Sequence, residues 1–396
     1  MNFKINEKNA LKFLMDFLSI EGTTGNEGLI AKEVKKILIL NGVPKKYIFF
    51  DDVNKKIPLP TETGNLIVKL PGTINGPRNL FMTHLDTVPL CSGALPVKKN
   101  NIIKSKNDSA LGGDNRTGVA CLVNMLINLI KKKIPHFPLT ALFTVREESG
   151  LWGARYVNLK DLGNPSYGYN IDGMSPKILT IGAVGADRWN VKLYGKAAHA
   201  GVEPEKGISS SIVASLALSE IYKKGWFGKI RKGGKIGTSN IGSISGKNNL
   251  SAGDATNVVT DFVILKGESR SKDLKFVSDI TRAYKIEFQK ASKVVKNNLG
   301  KFSKMTFHSE REYYPFILKK NNHVVKNSIL IANNFGWNPK LEFSNGGLDA
   351  NWTVRHGVPT ITFGSGQNKI HTKDEFIKVK DYLSACYFAI ALASKI

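Results

Sequence analysis

Short apolar runs closed by Gly or Pro alternate with segments whose apolar residues recur every three or four positions. This alternation restricts the first third of the chain to a layered α/β fold. Residues 7–19 and 27–40 carry the helical spacing, whereas 65–70 (NLIVKL) and 79–85 are brief β-branched or apolar runs. A helix is predicted to begin near Thr117, with Val119, Leu122, Met125, Leu126 and Leu129 along one face. The run LTALFTVR at 139–146 is a further strand, and it leads directly into Glu147-Glu148.

The pattern changes near residue 185. Up to about 312 the chain offers a strand (WNVKLYG), a helix after GISSS at 207–211, and two strand-like runs, KIGTSNIGSIS and NVVTDFVILKGES. A long helix at about 272–295 and a last run, KMTFHSERE, complete this stretch. The remaining residues return to α/β punctuation, with a buried strand in VPTITFG at 358–364 and a closing helix in DYLSACYFAIALA at 381–393. The expected organisation is an α/β domain in two parts, 1–184 and 313–396, with a smaller α+β domain, 185–312, inserted between them. A chain of 396 residues is also longer than one hydrophobic core normally serves.

Composition removes several classes. No apolar run reaches the roughly 18–20 residues that span a bilayer, and MNFKINEKNALKFLMDFL mixes charges into a helical period, unlike a signal peptide. Neither a membrane nor an anchor is expected. Cys91, Cys121 and Cys386 are too few and scattered for a disulfide framework or a thiolate metal site, so the cytoplasm is the expected compartment. A formal net charge of +25 brings nucleic acid into consideration. The lysines are spread over helices and loops, however, and the basic runs 131–133 and 223–235 lack the interleaved aromatics of a single-strand groove. Nucleic acid is not the expected partner.

The run NLFMTHLDTVP at 79–89 looks like a core strand that ends by projecting His84 and Asp86 to the same side. In open α/β sheets, functional groups gather beyond the carboxyl ends of strands. Applied to each predicted strand, that rule collects His84, Asp86, Glu147, Glu148, Asp172 and His371, while Asp114 follows the tight Gly112-Gly113 turn ahead of a helix. Carboxylates crowded in this way repel one another unless cations neutralise them. The set has N and O donors and no thiolate, enough for two divalent ions, with Zn²⁺ first and Mn²⁺ or Co²⁺ as alternatives. Asp86 is placed to accept the second N–H of the His84 imidazole. Of the adjacent pair, one glutamate is expected to bind metal and the other to move a proton; Glu148 and Glu147 are assigned those roles, which spacing alone does not distinguish.

In order along the chain, THLDTVP, GGDNRTG, REESGLWGAR, NIDG, GKAAHAG, NGGLDANW and KIHTKDE resemble the motifs of co-catalytic zinc peptidases of the peptidase T-like branch. That family also holds carboxypeptidases and aminoacylases. The resemblance implies metal ligation by His84, Asp114, Glu148, Asp172 and His371, with Asp114 bridging, and makes Glu147 the general base. It implies that 185–312 is a lid that commonly dimerises, giving a homodimer. His199 then helps polarise the scissile carbonyl, Asn257 and Arg270 contact substrate, and Gly346, Asp349 and Asn351 line the pocket.

Three positions depart from the family pattern. Asn115 stands where a second acid is frequent, Leu348 replaces a small hydroxyl residue, and Lys373-Asp374 varies the stretch after His371. The expected activity is hydrolysis of short peptides, tripeptidase- or aminopeptidase-like. A deacylase acting on N-acyl amino acids is the alternative within enzymes, and a non-catalytic metal-dependent or nucleic-acid-binding protein is the alternative outside them.

Overall fold

The computed structural model describes residues 3–253 and 255–394. The chain divides into two compact units: one runs up to Ala183 and resumes at Ile317, and the other is Val184–Phe316.

A mixed sheet forms the centre of the first unit. Its order is Ile48–Phe50, Leu66–Leu70, Leu139–Thr144, Asn79–His84, Tyr167–Ile171, Thr360–Phe363 and Ile178–Ala183, with Lys340–Ser344 also paired to the last of these. Four adjacent members, Leu139–Thr144, Asn79–His84, Tyr167–Ile171 and Thr360–Phe363, run parallel. Their carboxyl ends therefore lie side by side. Asn79–His84 and Leu139–Thr144 are buried at every position, as strands covered on both faces must be, which explains why they lack a strict apolar–polar alternation.

The helix predicted near Thr117 is recorded from Gly113 to Lys131, but Asp114 and Asn115 have non-helical backbone angles, so regular helix begins beyond them. It packs tightly on the sheet at Gly118, where an added Cβ would lie 2.2 Å from Thr83 Oγ1 and 2.5 Å from the Ile171 carbonyl oxygen. Only glycine permits that approach, which brings the Asp114 turn against the ends of two strands.

The second unit is a five-stranded antiparallel sheet, ordered Gly228–Lys232, Lys235–Ser245, Phe262–Ser271, Gly185–Tyr194, Lys304–Tyr313. Trp189, Val191 and Leu193 alternate with outward side chains. They meet Val213 and Ala217 of helix Ser210–Lys223 and Ile280, Tyr284 and Phe288 of helix Leu274–Ser292 in a core of their own.

Two sequence expectations change here. The run beginning at Asn257 becomes regular strand only at Phe262, Val258 making a single bridge to His199. The basic run 223–235 is partly a hairpin arm, and three of its cations are paired: Lys223 with Glu220 at 3.3 Å, Lys224 with Glu287 at 2.8 Å and Lys235 with Asp273 at 3.0 Å. Among the described residues, no helix is long and apolar enough to cross a membrane.

Candidate metal centre

His84 ends its strand with both ring nitrogens committed. Nδ1 is 3.0 Å from the Asp86 carbonyl oxygen, which only accepts, so Nδ1 carries the hydrogen. Nε2 therefore faces Asp114, 3.1 Å from Oδ1. The Asp86 side chain, expected to take that hydrogen, is farther off, its nearer oxygen 3.4 Å from Nδ1. That carboxylate instead accepts the backbone N–H of Glu147 at 3.0 Å and of Glu148 at 3.1 Å. Asp86 thus ties the end of one parallel strand to the acidic loop after its neighbour.

The five proposed metal ligands converge. Ligand atoms of His84, Asp114 and Asp172 lie within 4.8 Å of one another, and so do those of Asp114, Glu148 and His371. Asp114 belongs to both groups. Its Oδ2 is 3.3 Å from His371 Nε2, which is also 2.9 Å from Glu148 Oε1. His84, Glu147 and Glu148 form a third, overlapping group at the same limit, so Glu147 sits against the ligands and not apart from them.

Charge in this space is unbalanced. Burial and then the Asp114 charge raise Asp172 to about 8 and Glu148 to about 7. Burial likewise holds the Glu147 carboxyl well above the usual range, partly offset by His84 and reinforced by Glu148. Hydrogen bonds to Asp114 and Glu148 lift His371 to about 10. Burial opposes a charge on His84, but the Glu147 charge and the bonds to Asp114 and Asp86 outweigh it and raise its pKa. Divalent cations would relieve this crowding, and the converging N and O donors fit such ions.

Several neighbours that sequence reasoning missed hold this geometry. Glu27, fully buried, accepts the backbone N–H of Arg146 at 3.0 Å and of Gly25 at 2.8 Å. It looks in sequence like an ordinary acid at a helix start. Arg116, 2% exposed, donates to backbone carbonyls of Leu85, Ile20 and Gly22. Glu375, 2% exposed, accepts from Leu111, Gly112 and Asp114. Its one sequence signal is an acid shortly after His371.

Asn115 gains a structural reason. Its Nδ2 donates to the Ile171 carbonyl at 2.7 Å, while its Oδ1 accepts from the Gly118 N–H at 3.0 Å and from Gln367 Nε2 at 2.8 Å. An aspartate in its place would lack the first of these donors.

Other expected site residues are placed differently. Asp349 and Asn351 are each 1% exposed; Asp349 accepts the Thr144 hydroxyl, and Asn351 Oδ1 accepts the Leu348 N–H at 2.9 Å. Both side chains lie buried at the start of helix Asp349–Arg355, and the Asp349 charge bears on Glu147 and Asp172. Gly346 closes a turn on Ser344 Oγ. In the second unit His199 and Asn257 are exposed, and Arg270 is paired with Glu268 at 2.8 Å.

A scan of protein families matches residues 80–395 to peptidase family M20/M25/M40. The chain belongs to that family. Across 98% of both chains it is 30% identical to the crystal structure of aminopeptidase PepT from Bacillus cereus, with a TM-score of 0.81. A tripeptidase from Staphylococcus aureus is 29% identical with a TM-score of 0.85, covering 98% of this chain and 99% of that one. The uncharacterized YqjE protein of Bacillus subtilis is 30% identical over 390 residues, 98% of each chain. This M20 protein is a hydrolase of the peptidase T-like branch, and peptide bonds are its substrate class.

Proposed function

We propose that this family member is a two-metal peptidase that releases residues from short peptides, tripeptides above all. The observation that carries the reading is Asp114, shared between two ligand groups: His84 and Asp172 on one side, Glu148 and His371 on the other. One carboxylate common to two converging sets is the arrangement a co-catalytic pair requires.

Zn²⁺ is the first choice for the N and O donors, before Mn²⁺ or Co²⁺. Bound there by His84, Asp114, Glu148, Asp172 and His371, two such ions would supply an acidified water and an electron-withdrawing contact to the scissile carbonyl. Glu147 takes the proton of that water and passes it to the departing amine. Burial favours this, because it raises the proton affinity of the Glu147 carboxyl and so makes it the stronger base. Asp86 fixes Glu147 by its backbone N–H and presents the neighbouring Glu148 to metal. In the inserted unit His199, Asn257 and Arg270 are assigned to the substrate.

Homodimer formation through the inserted unit belongs to the same reading. It is supported by the exposed apolar side chains Ile212, Leu216 and Tyr222 on helix Ser210–Lys223.

The test combines metal analysis, sedimentation and a substrate panel of di- and tripeptides and N-acetyl amino acids, before and after chelation. Two ions per chain, a dimer, and tripeptide hydrolysis lost on chelation are expected. Glu147→Gln should keep both ions and lose about 10²–10⁴-fold in kcat. Hydrolysis of N-acetyl amino acids in preference to peptides overturns the substrate choice. Full activity in Glu147→Gln overturns its role.

A further inference from the structure

Behind the Asp114 turn lies a carboxylate that the mechanism above does not use. Glu375 Oε2 accepts the N–H groups of Leu111 and Gly112 at 2.9 and 2.8 Å, and Oε1 accepts that of Asp114 at 3.1 Å. The turn is shaped to reach it: Gly112 has φ +77°, and a Cβ added at Gly113 would lie 3.1 Å from Glu375 Oε1 and 2.9 Å from Ile377 Cγ1. Both glycines are thus needed for the contact.

Glu375 also closes the loop that carries His371. Its own N–H donates to the Thr372 carbonyl at 3.1 Å, and Phe376–Lys378 is then fixed by pairing with Ile102–Ser105. One buried side chain therefore joins two segments that are remote in sequence, each of which brings a residue to the same ligand group. Asp114 and His371 group with Glu148, whereas the other group, which Asp114 also joins, draws His84 and Asp172 from strand ends that Glu375 does not touch.

We propose that Glu375 is a positioning residue that sets the Asp114-to-His371 spacing, so that its removal weakens the metal position of Glu148 and His371 more than the other. The inference rests on the two-metal reading. A carboxylate suits the task because its two equivalent oxygens receive three N–H groups, and the charge strengthens each bond. Glutamine offers one such oxygen. Aspartate offers two, a methylene too short.

The test is calorimetric titration of Zn²⁺ into the chelated full-length protein, with Co²⁺ absorption spectra as a second readout of ligand geometry. Neither depends on turnover. Wild type should bind two ions. Glu375→Ala and Glu375→Asp should lose about 10–100-fold at the position of Glu148 and His371, the range for partners that orient ligands, and less at the other, which shares only Asp114 with it. Glu375→Gln should fall between. Unfolding melts of the chelated variants establish that each is folded, and if Glu375→Ala is not, Glu375→Gln decides by the same criterion.

Two ions at wild-type affinity in every variant would overturn the inference alone, as would equal weakening of both ions. A wild-type protein that binds one ion or none overturns the two-metal reading and this inference together.

Discussion

Removing the Asp86 carboxylate should destabilise the metal-free protein by an amount that counts its backbone bonds. Asp86 is fully buried, and its two oxygens each accept one N–H, from Glu147 at 3.0 Å and Glu148 at 3.1 Å. A hydrogen bond to a charged group contributes about 1.5–3 kcal/mol, and a buried N–H left without an acceptor costs a similar amount. Asp86→Ala therefore forfeits two such bonds, about 3–6 kcal/mol, with the lower end applying if water enters the space. Asp86→Asn keeps one acceptor oxygen and turns an amide against the other N–H, so about half the loss is expected. The assay is urea unfolding of chelated protein, comparing midpoints at unchanged slope so that the shift reports stability. Wild type, Asn and Ala should fall in that order. Asparagine as damaging as alanine would show that the charge, facing buried Arg116, matters more than the two acceptors. A loss below about 1 kcal/mol in Asp86→Ala would refute the clamp.

Two further outcomes follow from the same neighbourhood. Asn115→Asp, which restores the acid frequent in the family, should destabilise the fold by about 1–3 kcal/mol, because the Ile171 carbonyl loses its 2.7 Å donor and faces a carboxylate oxygen; a thermal melt at or above wild type would refute this. Metal uptake should release protons, measured as acidification of a weakly buffered solution. Asp172 at about 8, Glu148 at about 7 and His371 at about 10 retain protons at neutral pH that a cation must displace. These raised values put protonated forms below them, so affinity should climb as pH rises toward 8; a flat profile between pH 6 and 8 would count against the crowded-carboxylate account.

The layered fold was legible because fully buried parallel strands cannot hide their apolar continuity, as at Leu80–Met82 and Leu139–Phe143. The helix start near Thr117 was legible for a subtler reason: apolar periodicity tracks regular helix, and the recorded helix before it contains the non-helical Asp114 and Asn115. Short exposed pairs, such as Pro96–Lys99 with Ile102–Ser105, left no such trace. Their residues are mostly outward and lysine-rich, and pairing partners rather than propensity make them strands.

At the site, the groups that sequence marked are those whose chemistry is unusual for their position: an imidazole ending a core strand, or two acids following one. The groups it did not mark act through backbone amides, and any backbone can supply those. Glu27 and Glu375, together with Asp86, which the sequence marked only as a partner for His84, receive N–H groups from residues 25, 111, 112, 114, 146, 147 and 148. Each such partner is invisible in the sequence because every non-proline residue offers the same donor. What separates these three acids from Glu147 and Glu148 is therefore not residue type or burial but what they face. Acids that face amides are held by them and spend their lone pairs on the scaffold, while acids that face other acids keep lone pairs for a cation or a proton. The same principle explains why Asn115, an apparent loss of charge beside Asp114, is compatible with the centre: its amide is committed to the Ile171 carbonyl, Gly118 and Gln367, so it acts on the scaffold side of that division.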